Sequence, residues 1–247
     1  MKLEGWVDEA HLAAQVIARR RAAFASDRFR SIVLNGFLAV EKHRALQQLF
    51  ASDGRFEDYL GRWVRSNPAT RQAGGKPFYE YRVKTAAGWS RVPEERRLAH
   101  ELMLAGPAAG CEHQPGWTTH LDFRTFLASE AFAGFLEGMT GIRTGPHLEW
   151  MPRIMRPGHF VRAHDDTGRG RALCMIYFVG GGWRPGYGAR FQNVADGRIL
   201  RSIEPQANRL IIHEPLRSQT HQVEPFGPDA ADWERRAYSI WLHGPED

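Results

Sequence analysis

The N-terminal half of the chain carries apolar side chains at helical spacing, interrupted by short β-like runs. From about Asp8 to Ala25 an apolar stripe alternates with arginine and glutamate positions, which predicts an amphipathic helix. A β-like run over Ser31–Leu38 follows, ending near a turn residue. The same helical spacing predicts further helices at about Glu41 to Ala51, Glu94 to Leu104 and Asp122 to Met139.

The stretch from Asp53 to Pro93 has a different texture. It mixes aromatic residues and arginines with glycines, among them Gly74 and Gly75, and it contains the alternating run Phe78–Val83. Alternation with period two is the pattern of a half-buried strand. The sequence therefore predicts one or two strands here, joined by mobile connections.

After Pro146 the chain becomes a series of short strand-like runs separated by Gly, Pro and Asn, from Leu148 to Leu242. Such spacing is typical of a β-sandwich or barrel. Neither an internal repeat nor a domain linker is visible in the sequence. We therefore expect one α+β, mainly β domain over residues 1–247, in which residues 1–146 form a helical support and substrate-loop region and residues 147–243 form the β core.

Composition narrows the class of protein. The 247 residues are 43% hydrophobic and 25% charged, as in an ordinary globular protein. The longest apolar run, Leu173–Val179, has seven residues, against the roughly 20 that a membrane-spanning helix needs. The two cysteines form no disulfide framework and no secretory leader is visible, so a reducing cytoplasm is expected. Basic and acidic residues are interspersed, so nucleic-acid binding is not indicated.

The triplet His164-Asp165-Asp166 is the first candidate for chemistry. If it lies on a strand, residues two apart project from the same face, so His164 and Asp166 can offer an imidazole nitrogen and a carboxylate oxygen to one metal ion. Two histidines and one carboxylate on one face leave the other positions of an octahedral Fe(II) open. The triplet alone is a weak signal, and a second histidine must come from elsewhere in the chain.

The candidate for that second histidine is His221, and a polar strand follows it. Strand alternation over residues 235–241 puts Arg235, Ser239 and Trp241 on one face and Arg236 on the other. An inward arginine with an inward hydroxyl suits a carboxylate, because a guanidinium donates two parallel charge-assisted hydrogen bonds. A shift of one residue would exchange the faces and make Arg236 the inward arginine.

These motifs, taken in order, resemble the prolyl hydroxylase-like branch of the Fe(II)- and 2-oxoglutarate-dependent dioxygenases. The resemblance covers roughly Leu148 to Leu242 and only weakly the run Ile32–Leu38. It is carried by these segments: Arg156-Pro157-Gly158-His159-Phe160, His164-Asp165-Asp166, Arg171 to Phe178, Trp183, Gly188-Ala189-Arg190-Phe191, Ile203-Glu204-Pro205, Asn208 to Ile212, His221-Gln222-Val223 and Arg235 to Trp241.

The resemblance implies a double-stranded β-helix core, a jelly roll of the cupin-like kind. It implies His164, Asp166 and His221 as iron ligands and Arg235 as the partner of the distal carboxylate of 2-oxoglutarate. Other residues expected around the cosubstrate are Ser239, Ile176 and Phe178. Phe178 and Met155 stand where relatives often have tyrosines, so the cosubstrate pocket is expected to be more apolar and to rest more on Arg235.

The activity implied by the resemblance is hydroxylation of an unactivated C–H bond, with release of succinate and CO2. Fe(II), 2-oxoglutarate and O2 would take part, with ascorbate as a candidate reductant. The substrate would be an amino acid, a prolyl or other peptidyl residue, or a small natural-product intermediate, free or carrier-bound. Two alternatives stay open: an inactive metal-binding, cupin-like sensor or interaction module, and a nucleic-acid demethylase of the same superfamily.

Several further residues have two interpretations each. Arg162 is either a partner for a substrate carboxylate or phosphate, or part of a salt bridge at the barrel rim. Trp183 and Trp241 are candidates for the substrate pocket, although Trp241 also suits the core. Cys174 has the parity of the inward face and is expected to be a small core residue. The remaining histidines are expected to be surface or packing residues: His113, His120, His159, His213 and His243.

Overall fold

The structure of the protein is a computed structural model that describes residues 2–65, 78–167, 170–216 and 220–245. The predicted connection containing Gly74 and Gly75 lies outside the described residues. Among the residues described, no helix has the length and apolar character needed to cross a bilayer. The α-helices are α1 (Ala14–Ser26), α2 (Val40–Gln48), the short α3 (Ala86–Ser90), α4 (Pro115–Leu127) and α5 (Glu130–Thr140).

The β core consists of two facing antiparallel sheets. The larger runs in the order β1-β10-β7-β12-β5-β4-β2-β3 with β6 paired to β4, and the smaller runs β11-β8-β9. The strands are β1 (Ser31–Asn35), β2 (Gly54–Arg65), β3 (Phe78–Val83), β4 (Arg97–Pro107), β5 (Leu148–Met155), β6 (Phe160–Val161), β7 (Arg171–Phe178), β8 (Phe191–Ala195), β9 (Arg198–Ile203), β10 (Arg209–His213), β11 (Thr220–Val223) and β12 (Arg235–His243).

The two faces of the larger sheet belong to different cores. Odd-numbered residues of β7, such as Tyr177, and even-numbered residues of β12, such as Tyr238, pack against the helices. On the other face Ile176, Phe178 and Ala237 pack between the two sheets. Because successive side chains of a strand point to opposite faces, β7 and β12 each contribute side chains both to the core beneath the helices and to the barrel interior.

The N-terminal half differs from the prediction in two places. Residues predicted as a helix from Glu94 to Leu104 form only a 3-10 turn, Glu94–Arg96, followed by strand β4. The single helix predicted over Asp122–Met139 is two helices. This half is therefore not only a helical support, because β1, β2, β3 and β4 extend the larger sheet.

Local capping explains the break between the last two helices. The Ser129 side chain accepts a hydrogen bond from the Phe132 backbone N–H at the start of α5, which favours a new helix at this point. Gly141 then ends α5 in the left-handed conformation, with φ 75°, where a residue without Cβ is least strained. The apolar periodicity continues across Ser129, so the periodicity alone predicted one helix.

The side chain of Asn208 ties the N-terminal segment to the β core. Its Oδ1 accepts from the Leu38 backbone N–H at 2.9 Å and its Nδ2 donates to the Leu38 carbonyl at 2.8 Å. The Tyr177 hydroxyl also donates to Oδ1, at 3.1 Å. Asn208 has φ 57°, a left-handed conformation that asparagine tolerates better than most residues.

We predict that Asn208→Ala lowers the free energy of unfolding by about 2–4 kcal/mol, because it removes the three hydrogen bonds and leaves a strained backbone. Asn208→Gly removes the same bonds but relieves the strain, so its loss is smaller by roughly 1 kcal/mol. Urea unfolding of both variants measures the difference. Equal losses in the two variants would contradict the assigned role of the left-handed backbone.

Two buried histidines lie against the two tyrosines between helices and sheet. His43 Nδ1 is 2.7 Å from the Tyr177 hydroxyl, and His120 Nδ1 is 3.1 Å from the Tyr238 hydroxyl. Burial lowers the pKa of His43 to about 4, and burial followed by the charge of Arg124 lowers the pKa of His120 to about 4. Both imidazoles are therefore neutral in the folded protein at pH 7.

Because these two pKa values lie below the value of 6.5 for a free histidine, the unfolded chain binds more protons than the folded one between pH 6.5 and 4. The contribution of the two histidines to the free energy of unfolding is therefore complete above pH 6.5, and it is lost as the pH falls from 6.5 to 4. We predict that His43→Gln combined with His120→Gln flattens this acid loss in urea unfolding between pH 7.5 and 5. His113→Gln, at an exposed position, is the control and leaves the slope as in the original protein.

Candidate metal centre

His164, Asp166 and His221 meet at one end of the barrel interior. A backbone bridge joins the two histidines, with N–H to carbonyl distances of 2.9 and 2.8 Å in the two directions. Asp166 Oδ1 lies 3.7 Å from His164 Nε2, and Oδ2 lies 3.2 Å from His221 Nε2. One ligand atom from each residue falls within 4.8 Å of the others. The three side chains can therefore hold one metal ion.

The local structure that presents His164 and Asp166 is a loop rather than the strand the pattern suggested. Strand β6 ends at Val161, and β7 begins only at Arg171. The bridge to His221 positions His164 in place of a strand ladder. Asp165 turns away, and its Oδ1 accepts from the Thr167 N–H at 3.0 Å and from the Thr167 hydroxyl. As expected, Asp166 faces the two histidines and Asp165 points away, although the backbone here is irregular.

The protonation states of the three side chains suit a metal. His164 Nδ1 lies 2.8 Å from the Arg162 carbonyl, so the proton sits on Nδ1 and the Nε2 lone pair faces Asp166. Burial and the neighbouring His221 lower the pKa of His164 to about 4. Burial would raise the pKa of Asp166, but the nearby histidines, His221 first, hold it well below its usual value. Two imidazole nitrogens and one carboxylate are the donor set of a non-haem Fe(II) site.

Arg171 supports the carboxylate of Asp166 from behind. Its Nη1 lies 3.6 Å from Asp166 Oδ1 and 3.5 Å from the Asp166 carbonyl oxygen. Arg171 Nη2 donates to Glu149 Oε2 at 2.8 Å, and Glu149 Oε1 is 3.0 Å from His243 Nε2. Such outer partners orient metal ligands. No sequence motif indicated this role for Arg171, because its contact with Asp166 depends on the path of the loop.

A pocket extends from the three residues into the barrel, and Arg235 lies in its wall. Arg235 is 4% exposed. Its Nη1 lies 3.8 Å from Met155 Sδ, and its guanidinium carbon is 4.9 Å from the Phe178 ring centroid. Arg235 Nε has no hydrogen-bond partner among the described residues. A buried cation with an unused donor on a pocket fits an anionic ligand.

Burial lowers the pKa of Arg235 to about 10, an effect that Glu101 opposes and Arg153 reinforces. The guanidinium is therefore still charged at neutral pH. Arg236 points the other way and donates to Glu234 at 2.9 Å. The predicted assignment of Arg235 as the inward arginine and Arg236 as the outward one therefore agrees with the register of β12.

The other residues expected around the cosubstrate lie in two positions. Ile176 and Ser239 line the pocket. Phe178 lies behind Arg235, against its guanidinium. Phe178 and Met155 together form an apolar wall around Arg235.

Two of the three substrate candidates lie away from the pocket. Arg162 is exposed and donates to Glu94 at 3.2 Å, the rim salt bridge that was its alternative interpretation. The Trp183 indole N–H donates to the Gly188 carbonyl at 2.9 Å. Neither residue lines the pocket described above. Trp241 remains as a wall residue shared by the pocket and the core.

The pocket also contains a buried ion pair that was not predicted from the sequence. Arg153 Nη1 donates to Glu101 Oε1 at 2.8 Å, and Glu101 is fully buried. Glu101 could not be found because its segment was predicted to be a helix. Arg153 offered a signal, since it has the same strand parity as Met155, which also faces Arg235.

Two further residues were assigned incompletely. His213, expected to be a surface or packing residue, lines the pocket and is 5% exposed. Cys174, expected to be a core residue, lines it as well. These two side chains and Asp166 offer ligand atoms that also lie within 4.8 Å of one another. Only the pairing of β7 with β10, which the sequence does not reveal, brings them together.

Comparisons with known proteins agree with this geometry. Residues 150–243 match the family described as the 2OG-Fe(II) oxygenase superfamily, where 2OG is 2-oxoglutarate. No curated protein matches the chain.

Solved structures with similar folds include a Pseudomonas putida prolyl-4-hydroxylase, with 19% identity, a TM-score of 0.52 and coverage of 93% of this chain and 99% of that one. Another is a Trichoplax adhaerens prolyl hydroxylase in complex with a hypoxia inducible factor peptide fragment, with 12% identity, a TM-score of 0.55 and coverage of 96% and 93%. A Burkholderia pseudomallei oxidoreductase of the 2OG-Fe(II) oxygenase family has 16% identity, a TM-score of 0.51 and coverage of 92% and 90%.

The family match confirms the predicted dioxygenase class, with Fe(II), 2-oxoglutarate and O2 as its cofactor and cosubstrates. The structural likeness, at these low identities, confirms the mainly β, double-stranded β-helix fold. The donor set at His164, Asp166 and His221 fits the iron that this family requires.

We predict that Asp166→Asn and His221→Ala each weaken Fe(II) binding by more than about a hundredfold, since losing even an outer partner of a ligand typically weakens binding 10–100-fold. Anaerobic titration of the metal-free protein with Fe(II) measures the affinity. Asp165→Asn is the matched control and retains Fe(II) binding, because Asp165 bonds Thr167 instead. Equal loss in the control would contradict the assignment of Asp166.

Proposed function

We propose that this chain, an Fe(II)- and 2-oxoglutarate-dependent oxygenase by its superfamily match over residues 150–243, hydroxylates an unactivated C–H bond and releases succinate and CO2. The proposed substrate is an amino acid, a prolyl or other peptidyl residue, or a related small natural-product intermediate. His164, Asp166 and His221 are the proposed iron ligands, and Arg235 is the proposed anchor of 2-oxoglutarate.

Bound Fe(II), with 2-oxoglutarate and O2, supplies the oxidising power that no protein side chain has. The role of the chain is to hold and orient. His164 presents Nε2 because its Nδ1–H is directed to the Arg162 carbonyl. Asp166 contributes a carboxylate kept ionised by the surrounding histidines. Three protein ligands on one face leave the other coordination positions for ligands from the pocket.

Arg235 is suited to hold the distal carboxylate of 2-oxoglutarate. The guanidinium is charged, buried and in contact with the thioether of Met155 and the ring of Phe178. A charge-assisted bond made in such a water-poor wall is stronger than one made in solvent. Ser239, in the same pocket wall, adds a hydroxyl donor on the same strand face. Arg235 and the metal together would then select a ligand of the length that reaches from one to the other.

The observation that carries this proposal is the buried guanidinium of Arg235 in the wall of the pocket that also contains the metal ligands, with its Nε unpartnered among the described residues. A module that only binds metal has no need of a buried guanidinium directed into the same pocket, and leaving Arg235 without an anionic partner is unfavourable. Arg235 therefore favours an enzyme over a structural or sensory metal module.

Support for a prolyl or peptidyl substrate comes from fold similarity. The similar structures include a prolyl-4-hydroxylase and a prolyl hydroxylase in complex with a peptide fragment. One fold hosts many substrates, so the substrate part of the proposal is to be tested by screening peptides and free amino acids.

We also propose that residues 1–247 work as one dioxygenase domain in the cytoplasm. Support for a single domain is the shared core in which residues of α4 and α5 pack against β7 and β12. Support for a reducing compartment is that Cys111 and Cys174 are both free thiols.

The cosubstrate assignment predicts a spectroscopic result. Anaerobic addition of 2-oxoglutarate to the Fe(II)-loaded protein gives the weak visible charge-transfer band of the chelate. In Arg235→Ala the 2-oxoglutarate concentration for half of the full band rises about tenfold to a hundredfold, the equivalent of one lost charged hydrogen-bond pair.

Arg236→Ala is the matched control for that titration, since it removes a guanidinium one residue away that is paired with Glu234. The control keeps the original 2-oxoglutarate dependence. Absence of the band in folded, iron-loaded protein would overturn the dioxygenase mechanism and favour the metal-binding module.

A further inference from the structure

Cys174 and His213 are direct partners in the ladder between β7 and β10. Directly opposed residues in an antiparallel pair project from the same face, with Cβ atoms about 4.5–5.5 Å apart. Here that face is the pocket wall, and both side chains line the pocket beside Asp166. The ladder thus fixes a thiol and an imidazole side by side, next to the carboxylate of the iron centre.

One ring nitrogen of His213, Nε2, is buried without a hydrogen-bond partner among the residues that the structure describes. The residue is 5% exposed. A buried polar atom without a partner is destabilising, so packing alone does not explain why this position is a histidine. The ring lies beside that of His221, with centroids 5.2 Å apart.

The donor atoms of Cys174, His213 and Asp166 lie within 4.8 Å of one another. We propose that these three residues form a second position for a thiophilic divalent cation such as Zn²⁺, and that it competes with the iron centre for Asp166. Sulfur, nitrogen and oxygen donors in a tetrahedral arrangement suit Zn²⁺, whereas the two-histidine, one-carboxylate set suits Fe(II).

Binding at this position replaces the S–H bond of Cys174 by an S–metal bond, and the proton leaves to solvent. No oxidant or reductant is needed. Two dications here would bring four positive charges against the two negative charges of Asp166 and the Cys174 thiolate in a water-poor pocket, so occupation of one position opposes occupation of the other. Zn²⁺ held by Cys174 and His213 therefore withdraws Asp166 from His164 and His221 and inhibits the enzyme.

Anaerobic titration of the metal-free protein with Co²⁺ tests the position directly. Cobalt bound to a thiolate gives a strong near-ultraviolet charge-transfer band that histidine and carboxylate ligands do not give. We expect this band in the original protein, and a larger band in His164→Ala, where the competing iron position has lost a ligand. Fe(II) added to the cobalt-loaded protein lowers the band.

The chain has two cysteines, so it offers a matched pair of variants. Cys111→Ser keeps the band, whereas Cys174→Ala loses it and retains the weak visible absorption of cobalt at the iron position. His213→Gln needs a higher Co²⁺ concentration for the same band and serves as the second variant if Cys174→Ala does not fold. Absence of the band in the original protein at saturating Co²⁺, or its survival in Cys174→Ala, would overturn the proposal.

Inhibition gives a second readout once a succinate assay is established. The Zn²⁺ concentration that halves succinate formation rises at least about tenfold in Cys174→Ala, since a metal ligand contributes no less than an outer partner. An unchanged Zn²⁺ sensitivity would mean that Zn²⁺ acts at the iron position, which contradicts the proposal. The cobalt band needs no 2-oxoglutarate, so its outcome is independent of the proposed hydroxylation.

Discussion

The two-residue alternation of side chains along β7 and β12 is the constraint on which both the core and the pocket depend. Tyr177 and Tyr238 face the helices, while Ile176 and Arg235 face the barrel interior. A shift of one residue in β12 would bury Arg236 in place of Arg235 and turn Tyr238 toward the pocket, and the same shift in β7 would turn Tyr177 toward it. The packing of α4 and α5 on one face therefore also fixes the register that aims Arg235 at the other.

The charges in the pocket wall favour binding of a metal ion and an anion together. Arg235 and Arg153 are positive, whereas Glu101 and Asp166 are negative, so the four side chains balance one another. Fe(II) adds two positive charges and 2-oxoglutarate adds two negative ones, and the filled pocket is again neutral. Glu101 binds Arg153 at 2.8 Å, whereas Arg235 is the guanidinium that we propose for the distal carboxylate of 2-oxoglutarate. Neutrality favours binding both ligands over either one alone.

Sequence patterns predicted the parts of the site that lie on regular strands or match the family motif. Arg235 and Ser239 followed from period two, and Ile176 followed from the family resemblance. The His164 and Asp166 pair followed from its motif, although it lies on a loop. Glu101 was missed because the apolar spacing of residues 94–104 suits a helix as well as a strand buried on both faces. His213 and Arg171 were assigned no role at the site because strand pairing and the loop path arise from packing over long distances along the chain.

The contact between Arg171 and Asp166 influences whether a metal ion binds at the two-histidine position or beside Cys174 and His213. Arg171 reaches Asp166 Oδ1 and is itself anchored by Glu149, so the carboxylate is oriented before any metal arrives. Its Oδ2 lies 3.2 Å from His221 Nε2, and this orientation favours the two-histidine position. The preference between the two metal positions then depends mainly on how strongly Arg171 fixes the orientation of the Asp166 carboxylate, which both positions need. The intrinsic affinity of each donor matters less. The pairing of β7 with β10 places Cys174 beside His213, and the sulfur of Cys174 is a softer donor that favours Zn²⁺ at the second position.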